Sequence, residues 1–209
     1  MSRVCLVDVM SHKGWHRRGY IPHCDYGGLL QAVTFRLADS LPSAVVASWR
    51  RALEHDLASP DPVVKQAAEA VLRRKIADYE DAGHGSCLLR HPSHAAIVQR
   101  SLMLHHGIRY RLIEWCVMPN LVHVLFRPCD GFPLGKILQS WKGRSAMEIN
   151  RLVGREGPLW TRDYHDRLIR DEDHFWNARS YIRQNPVKAK LCAKPEDWQF
   201  SSAGVEWNE

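Results

Sequence analysis

The six cysteines, at 5, 24, 87, 116, 129 and 192, include no C-x-x-C pair. That absence removes the usual spacing of a structural zinc site. A disulfide framework is not expected either, since such staples serve small secreted domains that lack a core of their own. The cysteines read as reduced thiols, mostly small core residues. Nowhere does the chain approach the ~18 consecutive apolar residues of a membrane-spanning helix. Its opening, Met1 to Asp8, carries an early acid and no cleavage-site pattern, which makes a poor secretory leader. Internal repeats and low-complexity stretches are missing as well, which argues against solenoids and disordered linkers. A cytoplasmic location without membrane attachment is the expectation.

What is present fits one folded domain. At 209 residues, with 45% hydrophobic and 25% charged residues, the chain can bury one good core. The net charge is +6, a weak pointer to a polyanion, and its distribution says more. Residues 131–190 hold 12 basic against 7 acidic residues, whereas 191–209 hold 1 against 4. A basic region of this kind suits backbone phosphates, although a solvated helix face has the same composition.

Hydrophobic spacing orders the elements. Residues 12–28 are rich in Gly, His and aromatics without a period, and read as an N-terminal arm in loop conformation. Leu29 to Leu37 is a strand, with Val33, Phe35 and Leu37 on one face. From Pro42 the period becomes helical through Val45, Val46, Trp49, Leu53 and Leu57, and a second helix runs from Val64 to Tyr79. Gly83-His84-Gly85 stops it. Residues 94–104 form another helix. Ile108–Met118 and Val122–Arg127 are strands joined by a tight turn at Pro119-Asn120. A helix then reaches about Leu152, Trp160–Ile169 is strand-like, and a last helix runs from Asp171 to about Gln184, ending before Pro186. The order is that of a βαββαβ, ferredoxin-like α+β fold with an antiparallel sheet. A helical insertion (43–105) follows the first strand and a helix is appended at the end. The domain spans 29–190, between an arm at 1–28 and a tail at 191–209.

Several motifs stand in sequence on this plan. Trp115-Cys-Val-Met-Pro-Asn-Leu-Val-His-Val-Leu125 contains His123 on a strand, with position 121 on the same face because strand side chains repeat every two residues. Tyr181-Ile-Arg-Gln-Asn-Pro-Val-Lys-Ala-Lys-Leu191 places Tyr181 and Asn185 one helical turn apart, hence on one side of a helix. Gln139-Ser-Trp-Lys-Gly-Arg144, Gly157-Pro-Leu-Trp160 through Arg167, and Pro195-Glu-Asp-Trp198 through Ala203 complete the set. Together with Gly14-Trp-His-Arg-Arg-Gly-Tyr-Ile-Pro-His23 they resemble the REP-associated tyrosine transposases, of the transposase IS200-like family in the HUH endonuclease superfamily. The resemblance covers roughly 14–203.

That resemblance implies single-stranded or hairpin DNA from repetitive extragenic palindromes as the partner. It implies a metal-assisted reaction in which Tyr181 attacks a DNA phosphate, leaving a 5′-phosphotyrosine and a free 3′-OH. In the family, two histidines flanking one hydrophobic residue hold a divalent ion, Mg²⁺ or Mn²⁺, with an amide one turn beyond the tyrosine. Here His123 and Asn185 occupy two of those positions and Leu121 the third. Leucine has no lone pair, so metal binding is expected to be weakened or lost. His16, His23 and His165 are imidazoles that offer a replacement. The expected DNA contacts are Arg17, Arg18 and Tyr20 in the arm, Lys136, Trp141, Lys142 and Arg144 in the penultimate helix, and Arg183 and Lys188 beside the tyrosine. Trp141 fits a core position equally well. Two activities follow: a strand-cleaving enzyme, or a catalytically impaired DNA-binding protein derived from one. The state is a monomer or a homodimer.

Overall fold

The computed structural model describes residues 14–18 and 21–205, and for 15–18 and 21–24 the backbone alone. Strand β1 (Gly14–Arg18) pairs antiparallel with β2 (Ile21–Asp25), so the arm expected as a loop is a hairpin. Its ladder is backbone bonding, which leaves no hydrophobic alternation to read from the sequence. The hairpin's base is held by the buried Asp25, whose carboxylate accepts from the Leu134 N–H at 2.9 Å.

The main sheet contains β3 (Gln31–Arg36), β4 (Tyr110–Val117), β5 (Leu121–Pro128) and β6 (His165–Leu168) in the antiparallel order β4-β5-β3-β6. This is the ferredoxin-like arrangement expected from the order of elements. Alternation in β3 is regular, with Gln31, Val33 and Phe35 buried and their neighbours half-buried.

The sheet's two faces carry different loads. On one lie α4 (Pro92–Met103) and α5 (Leu134–Val153), enclosing a core that includes Phe35, Leu112, Trp115, Phe126, Trp141 and Trp160. On the other lies α6 (Glu172–Lys188), over a smaller apolar layer of Cys116, Met118, Leu121, Leu125 and Ile182. Helix α4 is therefore the fold's own first helix. The added helices are α1 (Ser43–Ala52), the short α2 (Glu54–Leu57) and α3 (Pro62–Asp81).

Helix α3 starts at Asp61, whose carboxylate accepts from the Val63 N–H at 2.8 Å, with Pro62 at its first position. Beyond its end, Gly83 and Gly85 both have positive φ. At Gly85 a side chain would also meet the Asp39 carbonyl oxygen at 2.8 Å, so only glycine serves there. The Asn120 amide in the β4–β5 turn donates to the Glu80 carbonyl at 2.8 Å, fastening the end of α3 to the hairpin that carries His123.

Two expected boundaries move. Strand pairing before His165 is confined to an isolated bridge from Trp160 to Leu37. The Thr161 and Arg162 carbonyls turn instead to the Lys142 ammonium, at 2.7 and 3.0 Å. Helix α6 also continues through Pro186 to Lys188. Proline removes one N–H only, and the turn is still closed by Ala189 N–H to the Asn185 carbonyl and Leu191 N–H to the Pro186 carbonyl, both 2.9 Å. After α6, residues 198–202 return along the β4 edge, with Val117 N–H on the Phe200 carbonyl at 2.8 Å and the Trp198 indole on the Val117 carbonyl at 3.0 Å. An edge covered in this way is closed to further strand pairing.

Candidate nucleic-acid and metal site

The register lines up one row of side chains across the α6 face. Cys116 faces His123, His123 faces Thr34, and Thr34 faces His165. His123 is 4% exposed and uses both ring nitrogens: Nδ1 lies 2.7 Å from Thr34 Oγ1, and Nε2 lies 3.1 Å from Asn185 Nδ2. An amide nitrogen can only donate, so Nε2 accepts and the ring proton sits on Nδ1, directed at Thr34. Burial holds the imidazole neutral, with its pKa pushed down to about 4.

Helix α6 brings Tyr181 and Asn185 onto this histidine. The Tyr181 ring meets the His123 ring edge-to-face at 5.3 Å, and its hydroxyl donates to both carboxylate oxygens of Asp81, at 3.1 and 3.3 Å. Asp81 is the last residue of α3. The buried Asn185 side chain also donates to Asp81 and lies within hydrogen-bond reach of the Tyr181 hydroxyl. Burial, then the neighbouring Asp81 charge, pushes the Tyr181 phenol above its ordinary value. Burial likewise pushes the Asp81 carboxyl up, against hydrogen bonds from Tyr181 and Asn185 and the charge of Lys188. The Lys188 ammonium stands 5.1 Å over the Tyr181 ring.

Next to this cluster, Arg36 Nε contacts Glu80 Oε1 at 2.7 Å, and Glu80 is pushed up to about 7, chiefly by burial. Arg36 is the cross-strand partner of Leu121. The end of α3 thus stands beside Leu121, the position at which the resemblance expects a histidine. Leu121 itself is 1% exposed and packed with Met118, Leu125 and Ile182.

Other expected site residues are placed differently. Trp141 is 1% exposed, and its indole donates to the Tyr110 hydroxyl at 2.7 Å within the α5-side core. It is a packing residue, since a buried ring cannot stack on a base. Lys142 binds the two carbonyls that end the strand before β6. Arg183 is drawn to Glu114 (3.8 Å) and Glu196 (3.7 Å), beside the 2.8 Å ion pair of Arg179 with the buried Glu114. Lys136 and Arg144 are exposed on α5, and Lys188 on α6. The side chains of Arg17, Arg18, His16 and His23, and all of Tyr20, lie outside the described residues. His165 sits two strands from His123, about 10 Å at the usual strand spacing, with Thr34 between them.

Residues 98–185 match the family model described as "Transposase IS200 like". A Haemophilus influenzae protein named as a REP-associated tyrosine transposase is 26% identical over 103 residues, covering 44% of this chain and 58% of that protein. The match thus spans little more than half of the curated relative's length. A solved structure of a REP-associated tyrosine transposase bound to a REP hairpin superposes with a TM-score of 0.56 at 15% identity, covering 90% of this chain and 81% of that one. At that identity the likeness is one of fold. Asp81 lies outside the family-matched segment, in an added helix where no motif marks it. An acidic pair ending a helix, Glu80-Asp81, was the only signal in the sequence.

The donors present fit a small divalent cation in part. Among the described residues no three of His, Cys, Asp and Glu converge. His123 Nε2 and the Asp81 carboxylate both neighbour the Asn185 side chain, which brings a third donor once the amide is counted. Nitrogen and oxygen donors of this type suit Mg²⁺ or Mn²⁺.

Proposed function

We propose that this protein binds single-stranded or hairpin DNA of palindromic repeats, in the cytoplasm, and cleaves and rejoins it through Tyr181. One observation carries the reading. Residues distant in sequence, His123 from β5, Tyr181 and Asn185 from α6 and Asp81 from α3, share one hydrogen-bonded cluster on the face opposite the main core. A packing tyrosine such as Tyr110 also pairs its hydroxyl; what supports a chemical role for Tyr181 is the combination of a neutral imidazole against its ring, an ammonium over it and a half-buried position.

The reaction is nucleophilic. The Tyr181 oxygen attacks a backbone phosphorus and the bond to the 3′ oxygen breaks, leaving the 5′ phosphate on the tyrosine and a free 3′-OH. His123 and Asn185 would hold the metal, which when bound polarises the non-bridging phosphate oxygens. Lys188, over the tyrosine ring and facing solvent, meets the incoming phosphate. The dense apolar seat of Leu121 favours a second reading, a hairpin-DNA binder that no longer cleaves.

A labelled hairpin oligonucleotide with Mn²⁺, run beside Tyr181→Phe, separates these readings. A band that survives denaturation and disappears in the variant supports cleavage. Retention on a native gel with no such band supports binding alone. Absence of binding at every salt concentration overturns both.

A further inference from the structure

We infer that Asp81, from the added helix α3, supplies the metal donor that Leu121 cannot, forming with His123 and Asn185 a three-donor cation site. The inference deepens the function proposed above and rests on it for the identity of the centre.

The Asn185 amide nitrogen is surrounded by acceptors. His123 Nε2 lies 3.1 Å away, and the amide also bonds the Asp81 carboxylate and reaches the Tyr181 oxygen. An amide has two N–H groups, so three acceptors compete for two protons. Acceptors that converge on one electropositive group form a setting a cation can take over. Rotating the Asn185 amide by half a turn presents its oxygen to the same point, and the donors become one nitrogen and two oxygens. Amide oxygen and nitrogen are interchangeable in shape, so the rotation needs no repacking. A carboxylate has room for about four contacts over its two oxygens, so the Tyr181 hydrogen bond does not exhaust Asp81.

Position supports the substitution. Leu121 pairs across the sheet with Arg36, Arg36 is bound to Glu80, and Asp81 is the next residue. The replacing donor therefore reaches the site from the side where the missing one would have stood. The Asn120 amide on the Glu80 carbonyl fixes that approach. Because α3 is an addition to the fold, a comparison confined to residues 98–185 contains Leu121 but not the residue that answers it.

The test is a titration of the DNA-free protein with Mn²⁺, followed by the loss of the free-ion electron paramagnetic resonance signal, with hairpin binding measured separately in EDTA. The wild type should take up one Mn²⁺ per chain. Asp81→Asn keeps the shape and the Tyr181 hydrogen bond, and should weaken that uptake by about tenfold or more, as loss of a direct donor should cost at least what loss of a supporting one does. Asp81→Glu, which keeps a carboxylate, should retain more of the uptake than Asp81→Asn, and adding Leu121→His to Asp81→Asn should recover it. Equal uptake by wild type and Asp81→Asn, or no uptake by the wild type, overturns the inference. If hairpin binding in EDTA is retained in either case, the DNA-binding part of the functional reading stands; if it is lost in the wild type, that reading fails separately.

Discussion

The two faces of the sheet are built on opposite principles. Toward α4 and α5 the buried groups are mostly large and apolar, and several polar atoms among them pair: the Trp141 indole donates to Tyr110, whose hydroxyl donates to the Leu102 carbonyl, and the Trp160 indole donates to Ser145. Toward α6 the apolar layer is thin, and His123, Asn185 and Glu114 are buried within or beside it. A buried polar group is costly unless paired, and here the pairing runs between distant elements, His123 with Asn185 and Glu114 with Arg179. One sheet thus carries a mainly apolar core on one face and a hydrogen-bonded polar cluster on the other, with Leu121 packed in the apolar layer beside that cluster.

Trp141→Ala is the largest test of the contrast. Removing a fully buried ring should cost about 3–5 kcal/mol in urea unfolding. A loss under about 1 kcal/mol would remove the stability role of the α5 face. Glu114→Ala strikes the other side, where Arg179 and Arg183 lean on one buried carboxylate with Ser202. The expected loss is about 2–3 kcal/mol, below that of a wholly buried pair because both arginines keep contact with water. Leu121→His places an imidazole among Met118, Leu125 and Ile182, and should cost about 1–3 kcal/mol without metal. Mn²⁺ should return part of that loss as a higher melting temperature, and an unchanged melting curve would mean that position 121 no longer faces a cation site. Smallest is Lys136→Ala: stability within about 0.5 kcal/mol of wild type, with the salt dependence of hairpin affinity reduced by about 0.7–0.9 log units per log unit of salt. An unchanged slope would confine the DNA to the α6 face.

Much of this was legible in the sequence for a physical reason. Alternation over Val33, Phe35 and Leu37 reports burial directly in β3, whereas the three-to-four spacing placed α1 and α3 as helices although α1 buries no residue and Val64 and Val71 of α3 stay exposed. Tyr181 and Asn185 were placed on one side of a helix by period alone, and they share a cluster with His123. What escaped was held by non-local bonds. Asp81 meets Tyr181 from 100 residues away. Lys142 was read as a DNA contact because a charge pattern does not reveal that two carbonyls already occupy it. The arm's hairpin escaped because its ladder is made of backbone groups, which every sequence carries.

The most direct test of the account is to digest the covalent hairpin adduct and locate the nucleotide by tandem mass spectrometry. The account predicts a 5′-linked nucleotide on the peptide containing Tyr181, and on that residue within it. A nucleotide on any other side chain, or no adduct from a protein that binds the hairpin and Mn²⁺, would contradict it.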